Sequence, residues 1–101
     1  MAKILIVDDD DSVRQSVAMI LRYARHEIVE AGDGRRGLHA LEQDPAIDVV
    51  LCDVKMPQMD GIECLSRMLE LRTDLPVIMI SGHGNIETAV EATKRGAFDF
   101  I

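Results

Sequence analysis

The chain has 101 residues, 48% of them apolar, with 18 acids against 11 bases and a formal net charge of −7. That length fits one domain, residues 1–101, with room for a single sizeable core. The acidic balance excludes a grip on phosphate backbones, and three aromatics without a tryptophan exclude base stacking, so no direct nucleic-acid contact is expected of this segment.

The first element is Ile4-Leu5-Ile6-Val7, a short run apolar on both faces, as in a parallel-sheet strand. Four aspartates, Asp8 to Asp11, interrupt it at once, so the start is a strand and not a signal peptide. No apolar run approaches the roughly 18 residues of a membrane span. Ser12 with Gln15 resembles a capping box, followed by Val13, Val17, Ile20, Leu21 and Ala24 at helical spacing. His26 to Glu30 reads as a short strand, and Asp33 as the cap of a second helix with Leu38 and Leu41 inward, stopped at Asp44-Pro45. Val49-Val50-Leu51-Cys52 is a second strongly apolar strand ending at Asp53. A turn-rich loop leads to a third helix with Ile62, Leu65, Met68, Leu69 and the stem of Arg72 inward. Pro76 opens the strand Val77-Ile78-Met79-Ile80, and Ser81-Gly82-His83-Gly84 follows it. Asn85 is a candidate cap for a fourth helix with Ile86, Ala89, Val90 and Thr93 inward, and Gly96 its terminating glycine. Phe98 to Ile101 begins a fifth strand. Cys52 and Cys64 have neither metal-ligand nor disulfide spacing and read as small buried hydrophobes of a reducing, cytoplasmic compartment. Met56 and Met59 read as packing, and His26, His39 and His83 as solvent-facing.

Strands alternating with helices predict an α/β fold: a doubly wound parallel five-stranded sheet in the flavodoxin-like order 2-1-3-4-5. The last helix of that plan is missing from the pattern, so apolar surface is expected to lie open beside the first helix. Ligands in such sheets bind beyond the carboxyl ends of the strands. Asp8 and Asp9 end the first strand, Asp53 the third, and Ser81 the fourth, so three carboxylates and a hydroxyl are expected at one edge. Clustered carboxylates repel unless a cation intervenes, and a hard divalent ion such as Mg2+ suits a few carboxylates plus water. Asp10 and Asp11 are explained by the helix dipole alone. Asp53 fits either a turn cap or a carboxylate nucleophile, and Ser81 a turn serine or a phosphoryl donor. Gly82, Gly84 and Asn85 offer a weak anion-binding turn without a Walker Gly-Lys-Ser/Thr.

Ile4 to Asp9, then Asp53-Val54-Lys55-Met56-Pro57-Gln58-Met59-Asp60-Gly61, then Val77 to Gly82, closely resemble the receiver domain of bacterial two-component response regulators, with its CheY-like fold. The resemblance covers the whole chain in order. It implies that Asp53 is the phosphoacceptor, and that Asp8, Asp9 and Asp53 hold Mg2+ with the backbone carbonyl of Lys55, Asp9 more directly than Asp8. It implies that Ser81 and Phe100 are the switch pair, and that Pro57 and Gly61 shape the loop after the acceptor. The implied partners are a sensor histidine kinase, an output domain in the full-length chain, and among the assemblies open to it a homodimer. The implied behaviour is a phosphorylation switch and not an enzyme turning over an outside substrate. Gly82 stands where the family often has alanine. The Lys-Pro that receivers carry after the switch aromatic has no counterpart before Ile101, and Lys94, in mid-helix, is no substitute. Ser81 to Ile86 and Gly96 to Ile101 resemble receivers of the nitrogen-regulation type, often joined to an AAA+ ATPase and a DNA-binding module, and also the nitrogen-fixation regulator type.

Two alternatives stand beside this reading. One is an aspartate-nucleophile phosphatase of the haloacid dehalogenase type, against which Lys55 stands where a second aspartate belongs. The other is a receiver-like interaction module that takes no phosphate.

Overall fold

The computed structural model describes residues 1–81 and 86–101. The elements run β1 (Lys3–Val7), α1 (Asp11–Tyr23), β2 (Glu27–Ala31), α2 (Gly34–Gln43), β3 (Val49–Asp53), α3 (Gly61–Leu71), β4 (Val77–Ile80), α4 (Ile86–Lys94) and β5 (Asp99–Phe100). All strand pairs are parallel, in the order β2-β1-β3-β4-β5, as expected. The register sets Val7 beside Cys52, and Asp53 beside Ile80, so β1, β3 and β4 end close to one line.

Alternate residues of each strand serve opposite faces. Leu5, Val7, Val50, Cys52, Val77 and Met79 join Leu41, Cys64, Leu65, Met68 and Ala92 in the larger core. Ile4 and Ile6 form a smaller cluster with Ala18, flanked by Val17, Leu21, Val49 and Leu51. Met56 and both cysteines are buried, and Met59 packs at the core's edge, as the sequence suggested.

Several sequence expectations are corrected. Helix α1 is capped by Asp10, whose side chain accepts from the Val13 amide at 3.1 Å, not by a Ser12–Gln15 box. An aspartate one turn ahead of the apolar run already satisfies the free amides, so Ser12 falls inside the helix and is exposed. The buried face of α1 is turned from the expected stripe: Ala18 is fully buried, whereas Val13 and Ile20 are 48% and 66% exposed. Apolar surface does lie open there, with Met19 and Tyr23 exposed as well. In α4 the expected inner residues Ile86 and Val90 are exposed, as is Thr93, and Ala92 is the buried one. The small side chain lets the helix approach the sheet closely. His26 is half-buried, its Nδ1 accepting from the Ala2 amide at 3.1 Å, while His39 is exposed. The readings for Gly82, His83, Gly84 and Asn85 lie outside the described residues.

Strand β2 starts one residue later than expected because His26 closes α1. Its amide donates to Leu21 O, and that of Arg25 to Arg22 O, a Schellman pair with Arg25 in the left-handed region at φ 71°. Gly96 ends α4 in the same way, at φ 101°, as expected. Arg25 carries the steric cost that a glycine avoids, so Arg25→Gly is expected to stabilise the domain by about 1 kcal/mol. In a thermal melt this reads as a rise of roughly 4–8 °C for a domain of this size, and a fall would refute the assignment.

Candidate functional site

The parallel sheet delivers the strand ends to one edge. There the chain places a cavity of about 440 Å³ whose lining includes Asp8, Asp9, Asp53, Lys55 and Ser81. One carboxylate oxygen from each of Asp8, Asp9 and Asp53 lies within 4.8 Å of the others. Asp8 and Asp53 are half-buried and Asp9 is exposed. A slightly larger cleft, about 470 Å³ between α2 and α3, holds none of these residues, and among the described residues its acids Asp33, Glu42 and Glu63 do not come together as those three do.

Backbone architecture explains the convergence. Asp8 leaves β1 with its amide donating to Ala31 O at 3.1 Å, and its carboxylate accepts from the Asp10 amide at 2.9 Å. Asp53 is the last residue of β3, and the amides of Val54 and Lys55 turn toward its carboxylate. Burial pushes the Asp53 carboxyl above the usual carboxylate range, and the charges of Asp8 and Asp9 push it the same way against those two amides. Burial likewise raises Asp8, with Asp9 and Asp10 adding repulsion. Two carboxyls held above their usual range, with Asp9 beside them, form a donor set that fits a hard divalent cation.

The loop after β3 is held by its own turns. Gln58 adopts a left-handed φ of 71°, the Gly61 amide donates to Val54 O at 2.7 Å, and Asp60 caps α3 by accepting from the Glu63 amide at 2.9 Å. Lys55 is exposed on the cavity rim. Phe100 does not line the cavity. It packs, half-buried, against the larger core beside Met79, and the Ser81 amide donates to Ile101 O at 2.8 Å, joining the end of β4 to the residue after β5.

The chain and its fold match known proteins. The family model for the response regulator receiver domain matches residues 4–101. The chain belongs to that family. Regulatory protein AtoC of Escherichia coli K12 is 44% identical over 98% of this chain, and the receiver spans only 21% of that relative's length. The crystal structure of NtrX from Brucella abortus in complex with ATP superposes with a TM-score of 0.91 at 44% identity, covering 99% of the receiver and 23% of NtrX. The CheX–CheY–BeF3–Mg2+ complex from Borrelia burgdorferi gives 0.92 at 34% identity, over 99% of the receiver and 76% of that chain. The expected CheY-like fold and the nitrogen-regulation-type resemblance both stand, and the phosphatase alternative falls away. Receivers are signalling switches and not classical enzymes. Among the described residues no helix is long and apolar enough to cross a membrane.

Sequence reasoning missed Arg14. Its side chain, 12% exposed, runs under the acidic loop and donates to the Asp8 carbonyl oxygen at 2.8 Å. An arginine in a helical stripe gives no sequence signal for this, because the Asp8 carbonyl after β1 and Glu30 on β2 lie outside its helix.

Proposed function

We propose that this receiver is a phosphorylation switch in which Asp53 takes a phosphoryl group from a sensor histidine kinase in the cytoplasm. The observation that carries this reading is the meeting of the Asp8, Asp9 and Asp53 carboxylates within 4.8 Å at the strand edge. Those three side chains and the Lys55 carbonyl would hold Mg2+, which when bound neutralises the crowded negative charge of carboxylates and phosphoryl oxygens. An Asp53 oxygen attacks phosphorus in line. The new O–P bond forms as the N–P bond to the kinase histidine breaks, and that nitrogen leaves with the electron pair. Asp53 then carries a dianionic group in a half-buried position. The Ser81 hydroxyl donates to it, Phe100 shifts inward along β5, and the altered α4–β5 face signals to an output domain, which fits the much greater length of the relatives.

The test is intact mass after incubation with Mg2+ and a small acyl phosphate. One added phosphoryl group, lost when EDTA replaces Mg2+, is expected. No adduct would overturn the reading in favour of an interaction module without phosphate chemistry.

A pH dependence follows from the raised carboxyls. Asp8 and Asp53 titrate higher in the fold than in the unfolded chain, so their ionisation opposes folding as pH rises, and this penalty vanishes as pH falls through their folded values. Asp44, held low by the Lys3 ammonium, acts oppositely: its stabilisation is present at neutral pH and lost as pH falls through its depressed value. Mg2+ competes with protons for the first pair. Thermal melts are therefore expected to show a Mg2+-induced rise at neutral pH that shrinks as pH falls into the carboxylate range. A rise independent of pH would place the ion elsewhere.

A further inference from the structure

We infer that Arg14 is a positioning residue for the cation site, an inference that rests on the Mg2+ reading above. Its guanidinium binds three acceptors at once. Nη1 donates to the Asp8 carbonyl oxygen at 2.8 Å, Nε to Glu30 Oε1 on β2 at 3.2 Å, and Nη2 pairs with Asp11 Oδ1 at 2.8 Å. Glu30 is steadied in turn by Arg22, at 3.3 Å.

The Asp8 carbonyl belongs to the peptide that carries Asp9. Fixing that oxygen fixes the plane of the 8–9 peptide and hence the direction in which Asp9 leaves the chain. Asp9 needs such help. It is exposed, and no hydrogen bond or ion pair among the described residues holds its carboxylate. Asp8 is located by its bond from the Asp10 amide and Asp53 by its place at the end of β3, so Asp9 is the member whose position depends on the backbone alone. The planar fork of arginine reaches three acceptors in fixed geometry, which the point charge of lysine does not.

Charge and geometry predict opposite signs here. Removing a nearby positive charge raises the attraction of the site for a cation. Loosening the peptide that aims a ligand lowers it, and loss of such outer contacts typically weakens metal binding 10–100-fold. The second effect is expected to win, because a carboxylate that must be ordered on binding gives up part of its Coulomb attraction in entropy.

The experiment is calorimetric Mg2+ titration of the wild type, Arg14→Met, Arg14→Lys and Glu30→Gln, with Asp9→Asn as the site control. Arg14→Met is expected to weaken binding about tenfold. Arg14→Lys should restore little of it, and Glu30→Gln, which keeps the arginine and unseats it, should weaken binding by a smaller factor. Amide chemical shifts recorded in EDTA should move at Asp9 and Asp10 in the Arg14 variants while the β3 amides stay in place. Equal or tighter binding in Arg14→Met, or full rescue by lysine, overturns the positioning role. If Arg14→Met does not fold, Glu30→Gln decides alone: unchanged affinity sinks the inference. Absence of Mg2+ binding in the wild type, or binding unaffected by Asp9→Asn, would instead refute the cation reading beneath it.

Discussion

Asp53→Asn is expected to abolish phosphoryl uptake from an acyl phosphate and, in the same protein, to raise the melting temperature in the absence of Mg2+ by a few degrees. The two effects share one cause. Asparagine keeps the shape of the side chain and an oxygen facing the Val54 and Lys55 amides, but it has no anionic oxygen to form an O–P bond. It also removes a half-buried charge that faces Asp8 and Asp9. A site that crowds carboxylates for chemistry lowers stability locally, so disarming it relieves the fold. Intact mass and a thermal melt read both outcomes. A phosphoryl adduct on the variant would place the nucleophile elsewhere, and a lower melting temperature would show that Asp53 holds the strand end in place instead of straining it.

Gly61→Ala is expected to be the most damaging single-methyl change near the site. The Gly61 amide is drawn onto the Val54 carbonyl at 2.7 Å, and this seats the start of α3 against the end of β3. A methyl group there would overlap the Asp53 carbonyl oxygen, and would stand 2.7 Å from Val54 Cα and 2.9 Å from Met79 Cε. Two of those three atoms are backbone and have no rotamer to retreat to. The cost should reach the upper end of the overpacking range, about 3 kcal/mol. For a domain of this size that is a fall in melting temperature of more than about 10 °C. Gly32→Ala is the control, because its methyl would meet only the Arg14 and Arg36 Nη1 atoms at 3.5 and 3.8 Å. Similar melts for the two variants would show that the α3 start has room to shift.

The strands and the acidic edge were legible in the sequence because both are short-range facts. A β-branched run with an aspartate directly behind it places that aspartate at a strand end, whatever the rest of the chain does. Helix faces were less legible. In α1, Val13 and Ile20 fit an apolar stripe as well as Val17 and Leu21 do, and the choice between faces was made by Ala18, small enough to sit on the sheet, and by Arg14, two of whose acceptors lie outside the helix. The same holds in α4, where Ala92 faces the core and the larger Ile86 and Val90 do not. Hydrophobicity ranks residues by the area they can bury, and a helix close to a sheet selects by clearance. The Phe100 position was read from the family pattern, and its half-buried place beside the core, away from the acidic cavity, follows from a ladder that no local spacing reveals.

The opposite edge of the sheet is wired differently. There Lys3 reaches Asp44 at 2.5 Å and Glu27 at 3.1 Å, and its amide donates to Asp48 at 2.8 Å, so each of these carboxylates has a partner. One rim of the molecule thus has its acids partnered, and the other has three carboxylates facing one another. Changes to the partnered rim can raise or lower overall robustness without entering the chemistry, whereas changes to the crowded rim alter signal and stability together. A lineage of such domains could therefore adjust durability alone at one rim, but responsiveness only with some change in durability at the other.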